Sequence, residues 1–315
     1  MRIIGTGRVH PAKVVTNQML EEFLDTSDEW IKERTGIASR RLISDERLED
    51  MAAEAAQQAI AEAGLTAKDI DFIICSNVVN EYITPALSCI VQGKIGAKCA
   101  CVDVNAACSG FIYALDMADD RLKSGKAKNI LVVAAEEPTR MVDWSDRALC
   151  VLFGDGAGAV VVTQGEELFS SRLTTACKID CLHYMRKLEP TPYITKEEVS
   201  GPMYMNGREV FKTAVLSSAR DISVLLKENG LQPSDIKYYI LHQANMRIVE
   251  AIAGYLKLDM AHFPHNVERC GNTSSASIAL LLDELVREGK LERGDKIVMS
   301  AFGAGFTTGA CVMEW

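Results

Sequence analysis

The sequence predicts an α/β protein built from two copies of one strand-and-helix design, and three observations carry that prediction. Apolar, β-branched stretches such as CACVDV alternate with helix-spaced segments such as FIYALDMADDRL, the pattern of strands and helices packed in layers. AEAGLTAKDIDFIICSN in the first half reads like KENGLQPSDIKYYILHQ in the second: Gly64 and Gly230 are 166 apart, as are Asp69 and Asp235. Further on, CSGFIYALDMADDRLKSGK matches NTSSASIALLLDELVREGK, with Gly125 and Gly289 separated by 164. The halves divide as 1–165 and 166–315, and their equivalent strand ends are expected to face one shared region.

Taken in order, TSDEWIKER opens a helix: Thr26 and Glu29 have capping-box spacing, which sets Trp30 and Arg34 one turn apart on one face. CACVDV reads as a short buried strand, and FIYALDMADDRL as the helix after it, stopped at Gly125. FGDGAGAVVV and FGAGFTTGACVMEW carry closely spaced glycines. A dinucleotide or phosphate loop must run from a strand into a helix, whereas the first runs into AVVV and the second into the last strand. Both are read as tight turns between strands. The second has a sharper reading as well, a backbone N–H aimed at a reacting carbonyl oxygen.

Composition removes several function classes. The 315 residues are 48% hydrophobic, enough for a large core, and the net charge of −9 comes without a Lys/Arg block to hold a phosphate backbone. Nucleic acid is therefore not an expected partner. The apolar run in MRIIGTGRVHPAKVV is too short for a signal peptide and no stretch is long enough to span a membrane, so a cytoplasmic location is expected. The ten cysteines form no CxxC pair and are read as reduced thiols. His262 and His265 lack the further ligands of a zinc site, so no metal is expected.

Cys108 lies where a strand turns into a helix. Unpaired amides and the dipole at a helix start should ease ionisation of a thiol there, giving a nucleophile; packing as a small hydrophobe is the plainer alternative. The 164 offset sets Cys108 on Asn272, while the 166 offset sets Ser76 on His242, at the end of the matching strand and the start of NMRIVEAIAGYL. A helix cap would explain Asn272 and a satisfied core imidazole His242. Three chemically able side chains at equivalent element ends make a candidate site.

With those residues in hand, the chain closely resembles the β-ketoacyl-acyl carrier protein synthase III family, the initiating condensing enzymes of type II fatty-acid synthesis. The resemblance spans essentially the full length through DTSDEWIKERTGI, DVNAACSGF, FGDGAGAVV, MNGREVFK, LHQANMRI, NVERCGNTSSAS and FGAGFTTG. It implies a thiolase-like fold of five layers, α-β-α-β-α, with duplicated halves assembled as a homodimer. It implies Cys108 as nucleophile, His242 and Asn272 as donors to an enolate, and the amides of Cys108 and Ala304 as an oxyanion hole. Coenzyme A contacts fall on Thr26, Trp30, Arg34 and Arg147, with Trp30 and Arg147 sandwiching the adenine. Lys212, Arg247 and Lys257 border the tunnel where acyl carrier protein docks, and Ile83 stands at the end of the acyl pocket.

The implied reaction joins a short acyl-CoA, most simply acetyl-CoA, to malonyl-acyl carrier protein, with acyl-CoA as substrate and no resident cofactor. A paralogue condensing or transferring another acyl group is the nearest rival; a non-catalytic acyl-binding or redox-responsive protein is a more distant one. Elongating relatives use two histidines and thiolases a second cysteine near the C-terminus, whereas here GAGFTTG has none and Cys311 lies in the next strand. Two departures stand out: Thr308 where the family often has Trp, and Cys270 where it often has Tyr. Both are expected to reduce bulk near the entrance or its supporting shell.

Overall fold

The computed structural model describes residues 1–187, 191–193 and 200–315. The first half of the chain forms β1 (Arg2–Val9), β2 (Lys13–Thr16), α1 (Asn17–Glu21), α2 (Asp28–Thr35), β3 (Ser39–Leu42), α3 (Leu48–Glu62), β4 (Phe72–Ser76), α4 (Leu87–Ile95), β5 (Ala100–Val104), α5 (Gly110–Lys123), β6 (Asn129–Glu136) and β7 (Gly156–Thr163). The second forms β8 (Phe169–Thr175), β9 (Leu182–Met185), β10 (Gly201–Met205), α6 (Gly207–Glu228), β11 (Tyr238–Leu241), α7 (Met246–Leu256), α8 (Val267–Cys270), α9 (Ala276–Arg287), β12 (Lys296–Gly303) and β13 (Thr307–Glu314).

Two sheets carry the fold, ordered β1-β7-β6-β4-β5 and β11-β12-β13-β8. Read from the other edge, the second repeats the first: β8, β13, β12 and β11 take the places of β1, β7, β6 and β4. The pairing sense repeats too, since β4–β6 and β11–β12 are parallel while β6–β7 and β12–β13 are antiparallel. Among the described residues, β5 has no counterpart strand in the second sheet.

Alternation along the strands builds the layers. In β6, Ile130, Val132 and Ala134 point into one core while Leu131, Val133 and Ala135 point into another. In β12, Ile297, Met299 and Ala301 join the first of those cores, and Val298 and Phe302 face the opposite way. The shared core contains the apolar faces of α5 (Phe111, Leu115, Ala118) and α9 (Ile278, Leu281, Leu285). Helix α3 covers the outer face of the first sheet, and α6 and α7 that of the second. Five layers result, α-β-α-β-α, with both sheets covered on both faces, which is why their strands read as continuous apolar runs.

Two expectations need correction. Strand β5 lies at a sheet edge and its last four residues are half-buried, so CACVDV is not a buried strand. Gly156 and Gly158 lie inside β7 rather than in a turn. Their lack of a side chain lets α9 approach the sheet: a Cβ on Gly158 would stand 2.6 Å from Ala279 Cβ. Gly158→Val is therefore expected to destabilise the protein by roughly 1–3 kcal/mol through overpacking, measured as a lower midpoint in chemical denaturation.

Candidate active site

Helices α5 and α9 begin side by side between the sheets. Their N-cap residues, Ser109 and Ser275, are 166 apart, whereas their closing glycines are 164 apart because α9 is 12 residues long and α5 is 14. The counterpart of Cys108 at the helix start is thus Ser274, and Asn272 lies two residues earlier; the offset taken from the closing glycines does not hold at the other end. The counterparts touch, with Ser274 Oγ 3.4 Å from Cys108 Sγ. Ser76, the last residue of β4, bonds to Ser275 at 2.8 Å. His242 directly follows β11 and its amide donates to Ser300 at 2.8 Å.

His242 is buried, its ring edge-on to Phe302 with centroids 5.3 Å apart. Nδ1 lies 2.7 Å from Ser277 Oγ, an oxygen that already accepts from the Gln243 amide at 3.3 Å. Giving its own proton to Nδ1 completes that hydroxyl's bonding and leaves the ring proton on Nε2. Burial pushes the imidazole down to about 3, so it is neutral. Asn272 is also buried, and its Oδ1 accepts from the Ser274 amide at 2.9 Å. The carboxamide is thereby oriented, and its NH2 group has no partner among the described residues.

Cys108 keeps some exposure to the cavity but is otherwise enclosed. Burial pushes its thiol up to about 12; a bond from Ser274 opposes the rise and the charge of Glu136 adds to it. The expected easing of ionisation is not what this geometry gives. Sγ belongs to the residue before the N-cap Ser109, not to the first helical turn, and loss of water outweighs the helix end. The turn from β12 to β13 lies against the same amide: a Cβ on Gly303 would be 2.6 Å from Cys108 N. Thr307 Oγ1 fixes that turn, donating to Ala106 O at 2.8 Å and accepting from Ser109 Oγ at 2.7 Å.

One cavity of about 1410 Å³ is lined by Cys108, His242, Asn272 and Ala304, and also by Trp30, Arg34, Arg247 and Ile83. Three side chains from distant parts of the chain therefore share one chamber. Thr26, Arg147, Lys212 and Lys257 are not part of its lining. Sequence reasoning missed the further cations Arg186, Lys187 and Arg208; only Arg208 stood in a recognised stretch, MNGREVFK.

The family model described as 3-Oxoacyl-[acyl-carrier-protein (ACP)] synthase III C terminal matches residues 226–315, and the 3-Oxoacyl-[acyl-carrier-protein (ACP)] synthase III model matches residues 102–180. The beta-ketoacyl-[acyl-carrier-protein] synthase III of Clostridium acetobutylicum is 43% identical, over 100% of this chain and 98% of its own. The chain belongs to the 3-oxoacyl-[acyl-carrier-protein] synthase III family. The crystal structure of 3-oxoacyl-[acyl-carrier-protein] synthase III from Aquifex aeolicus superposes with a TM-score of 0.93 at 43% identity, covering 100% of this chain and 99% of that one. The priming β-ketosynthase of the R1128 polyketide pathway also reaches 0.93, at 34% identity over 99% of this chain and 96% of that one.

Against the pattern of this synthase III family, the two departures lie away from the cavity. Thr308 points from β13 into a buried polar group, 2.7 Å from Asp221 and 2.5 Å from Thr174. Cys270 is buried at the end of α8. Neither residue lines the chamber, so neither widens its entrance. The cap of α2 also differs from expectation: Ser27, not Thr26, accepts from the Trp30 amide at 3.1 Å. Thr26 Oγ1 is buried without a partner among the described residues. Arg147 packs on Trp30 directly, its guanidinium carbon 5.2 Å from the ring centroid. An interposed ring needs about 3.5–4 Å on each face, so the expected sandwich is closed on itself here.

Because His242 is neutral, its Cε1–H resonance is expected to stay fixed between about pH 5 and 8. Proton NMR titration, assigned against His242→Ala, checks this. A midpoint near the ordinary 6.5 would contradict it.

Proposed function

We propose that this chain condenses a short acyl-CoA, most simply acetyl-CoA, with malonyl-acyl carrier protein through an acyl-cysteine, starting fatty-acid synthesis. The observation that carries the reading is the meeting of Cys108, a neutral His242 and an oriented Asn272 in one chamber. Sulfur attacks the acyl-CoA carbonyl, and the tetrahedral oxyanion sits between the amides of Cys108 and Ala304 until the bond to coenzyme A breaks. Thioester exchanges for thioester, so the transfer is close to thermoneutral. Malonyl carrier then enters and loses CO2. Its enolate oxygen is held by His242 Nε2–H and the Asn272 NH2, donors aimed where charge develops. The enolate carbon attacks the acyl-cysteine, and Cys108 leaves as the ketoacyl carrier forms.

A histidine charged at rest would favour the intact malonyl carboxylate as strongly as the enolate. A neutral donor in a desolvated chamber favours the charge that appears during reaction. No resident cofactor is called for. Coenzyme A enters along Trp30 and Arg34, with Arg147 swinging off the indole to admit the adenine and Thr26 Oγ1 gaining a partner. Lys212, Arg247 and Lys257 hold the acidic carrier, joined at the mouth by Arg208. A local basic rim within a chain of charge −9 suits such a partner.

The working unit in this reading is a homodimer in the cytoplasm. Edge strand β5 is open to pairing, and Ile83, 72% exposed in the single chain, needs a cover before it can close an acyl pocket. Among the described residues no helix is long and apolar enough to cross a membrane. A second reading, a paralogue priming another pathway, draws on the equal superposition with the polyketide priming enzyme. An acyl-CoA panel, read by intact mass of the Cys108 adduct and by CO2 release, separates the two.

Asn272→Ala is expected to leave acylation of Cys108 intact while condensation falls on the order of a hundredfold. Persisting condensation would remove Asn272 from the mechanism. Arg247→Glu is expected to raise KM for the carrier roughly tenfold and flatten its dependence on salt, measured by steady-state kinetics at several ionic strengths.

A further inference from the structure

Beneath the nucleophile lies a buried acid that the condensation above does not use. Glu136 ends β6; its Oε2 accepts from the Val78 amide at 3.1 Å, and its Oε1 from Ser275 Oγ at 2.5 Å and Ser274 Oγ at 3.3 Å. Ser274 Oγ is also the atom 3.4 Å from Cys108 Sγ. One hydroxyl therefore spans thiol and carboxylate. Ser274 holds this place from a left-handed backbone, φ +51°, a conformation a serine adopts at a cost. Ser275 needs no such conformation to cap α9.

The surroundings leave few other places for a proton. Among the described residues, Glu136 acts on two thiols, Cys75 of β4 and Cys108, with Asp103 of β5 beyond Cys75. The start of α9 presents only serines, β7 presents Gly156, and residues 77–80 present asparagines and valines. No cation pairs with Glu136 among the described residues. His242 is a poor base, because protonating it would bury an unpaired imidazolium.

Resting on the acyl-cysteine reading, we infer that Ser274 and Glu136 form a proton relay for Cys108, taking its proton as the sulfur is acylated and returning it as the sulfur is released. In the first half-reaction the S–H bond breaks and its electron pair forms the new S–C bond. The thiol proton passes to Ser274 Oγ while that hydroxyl's own proton passes to Glu136 Oε1. Coenzyme A leaves as a thiolate and takes a proton from water. In the second half-reaction the S–C bond breaks, its pair returns to sulfur, and the two proton transfers run backwards. Between them Glu136 is a neutral acid, so the malonyl carboxylate and its enolate sit above an uncharged floor. Burial pushes Glu136 up to about 7, which lets it both accept and keep a proton near neutrality.

The test needs no assumption about substrate. Alkylation of Cys108 by iodoacetamide, read by mass analysis of the peptide that carries it so that the exposed Cys89 and Cys177 do not contribute, is followed against pH in the wild type, Glu136→Gln and Ser274→Ala, with folding checked by thermal melting. The relay predicts that wild-type alkylation rises with an apparent pKa near 7 and that either variant slows it on the order of a hundredfold and moves the rise to alkaline pH. A Glu136 that acts only through its charge predicts the opposite sign, since removing a neighbouring anion eases ionisation of the thiol. Unchanged or faster alkylation in Glu136→Gln overturns the proposal. If that variant does not fold, an unshifted profile in Ser274→Ala does so. Slowed alkylation in a protein that never condenses malonyl carrier would keep the relay and overturn only the proposed function.

Discussion

A helix layer enclosed by sheets on both faces has no broad solvent surface, so its chemistry is concentrated at its ends. Helices α5 and α9 occupy that layer, and almost every other feature follows from their shared burial. Their apolar faces meet strands of both sheets, which fixes how each helix is rotated. Gly158 lets α9 sit close to β7, and that closeness sets where Ser274 and Asn272 come to rest. The N-termini of the two helices then lie against each other, and Cys108 meets Ser274 across the seam.

The enclosure also sets the electrostatics. Removing water favours the neutral form of every group at the seam: Cys108 is pushed up, Glu136 is pushed up, and His242 is pushed down. The site at rest therefore carries little charge, apart from whatever fraction of Glu136 is ionised. That suits chemistry in which negative charge appears briefly on an oxygen and is then lost, because fixed dipoles respond to it without competition from mobile ions. The positive charge of the cavity is instead held towards its mouth, on arginines and lysines that remain hydrated.

Much of this was legible in the chain. The internal repeat pointed to duplicated sheets and set His242 at a strand end, while the place of Cys108 ahead of a helix came from the local pattern of CACVDV and FIYALDMADDRL. The match of Cys108 to Asn272 failed because helix length is not part of a glycine-to-glycine offset: α9 is shorter by two residues, and the difference appears at its start. Glu136 was hidden for another reason. In ILVVAAEEP it reads as the polar end of a strand, and its partner Ser274 lies 138 residues away. The serines of NTSSAS were visible as a motif but not as a bridge, since which hydroxyl turns towards sulfur depends on the left-handed turn at Ser274. Thr308 was misplaced because a β-strand alternates, and one step along β13 separates the Thr307 hydroxyl that ties Ala106 from a side chain packed behind the sheet.

The shared helix layer has one more consequence, for how the molecule comes apart. Although the halves are copies of one plan and each has an outer core of its own, neither owns the central one: α5 is covered in part by strands of the second sheet and α9 in part by β7 of the first. Severing the connection between β7 and β8 would leave each fragment with an oily helix facing water. Duplication here has produced interlocked parts, so melting should be a single cooperative event in which neither half outlasts the other.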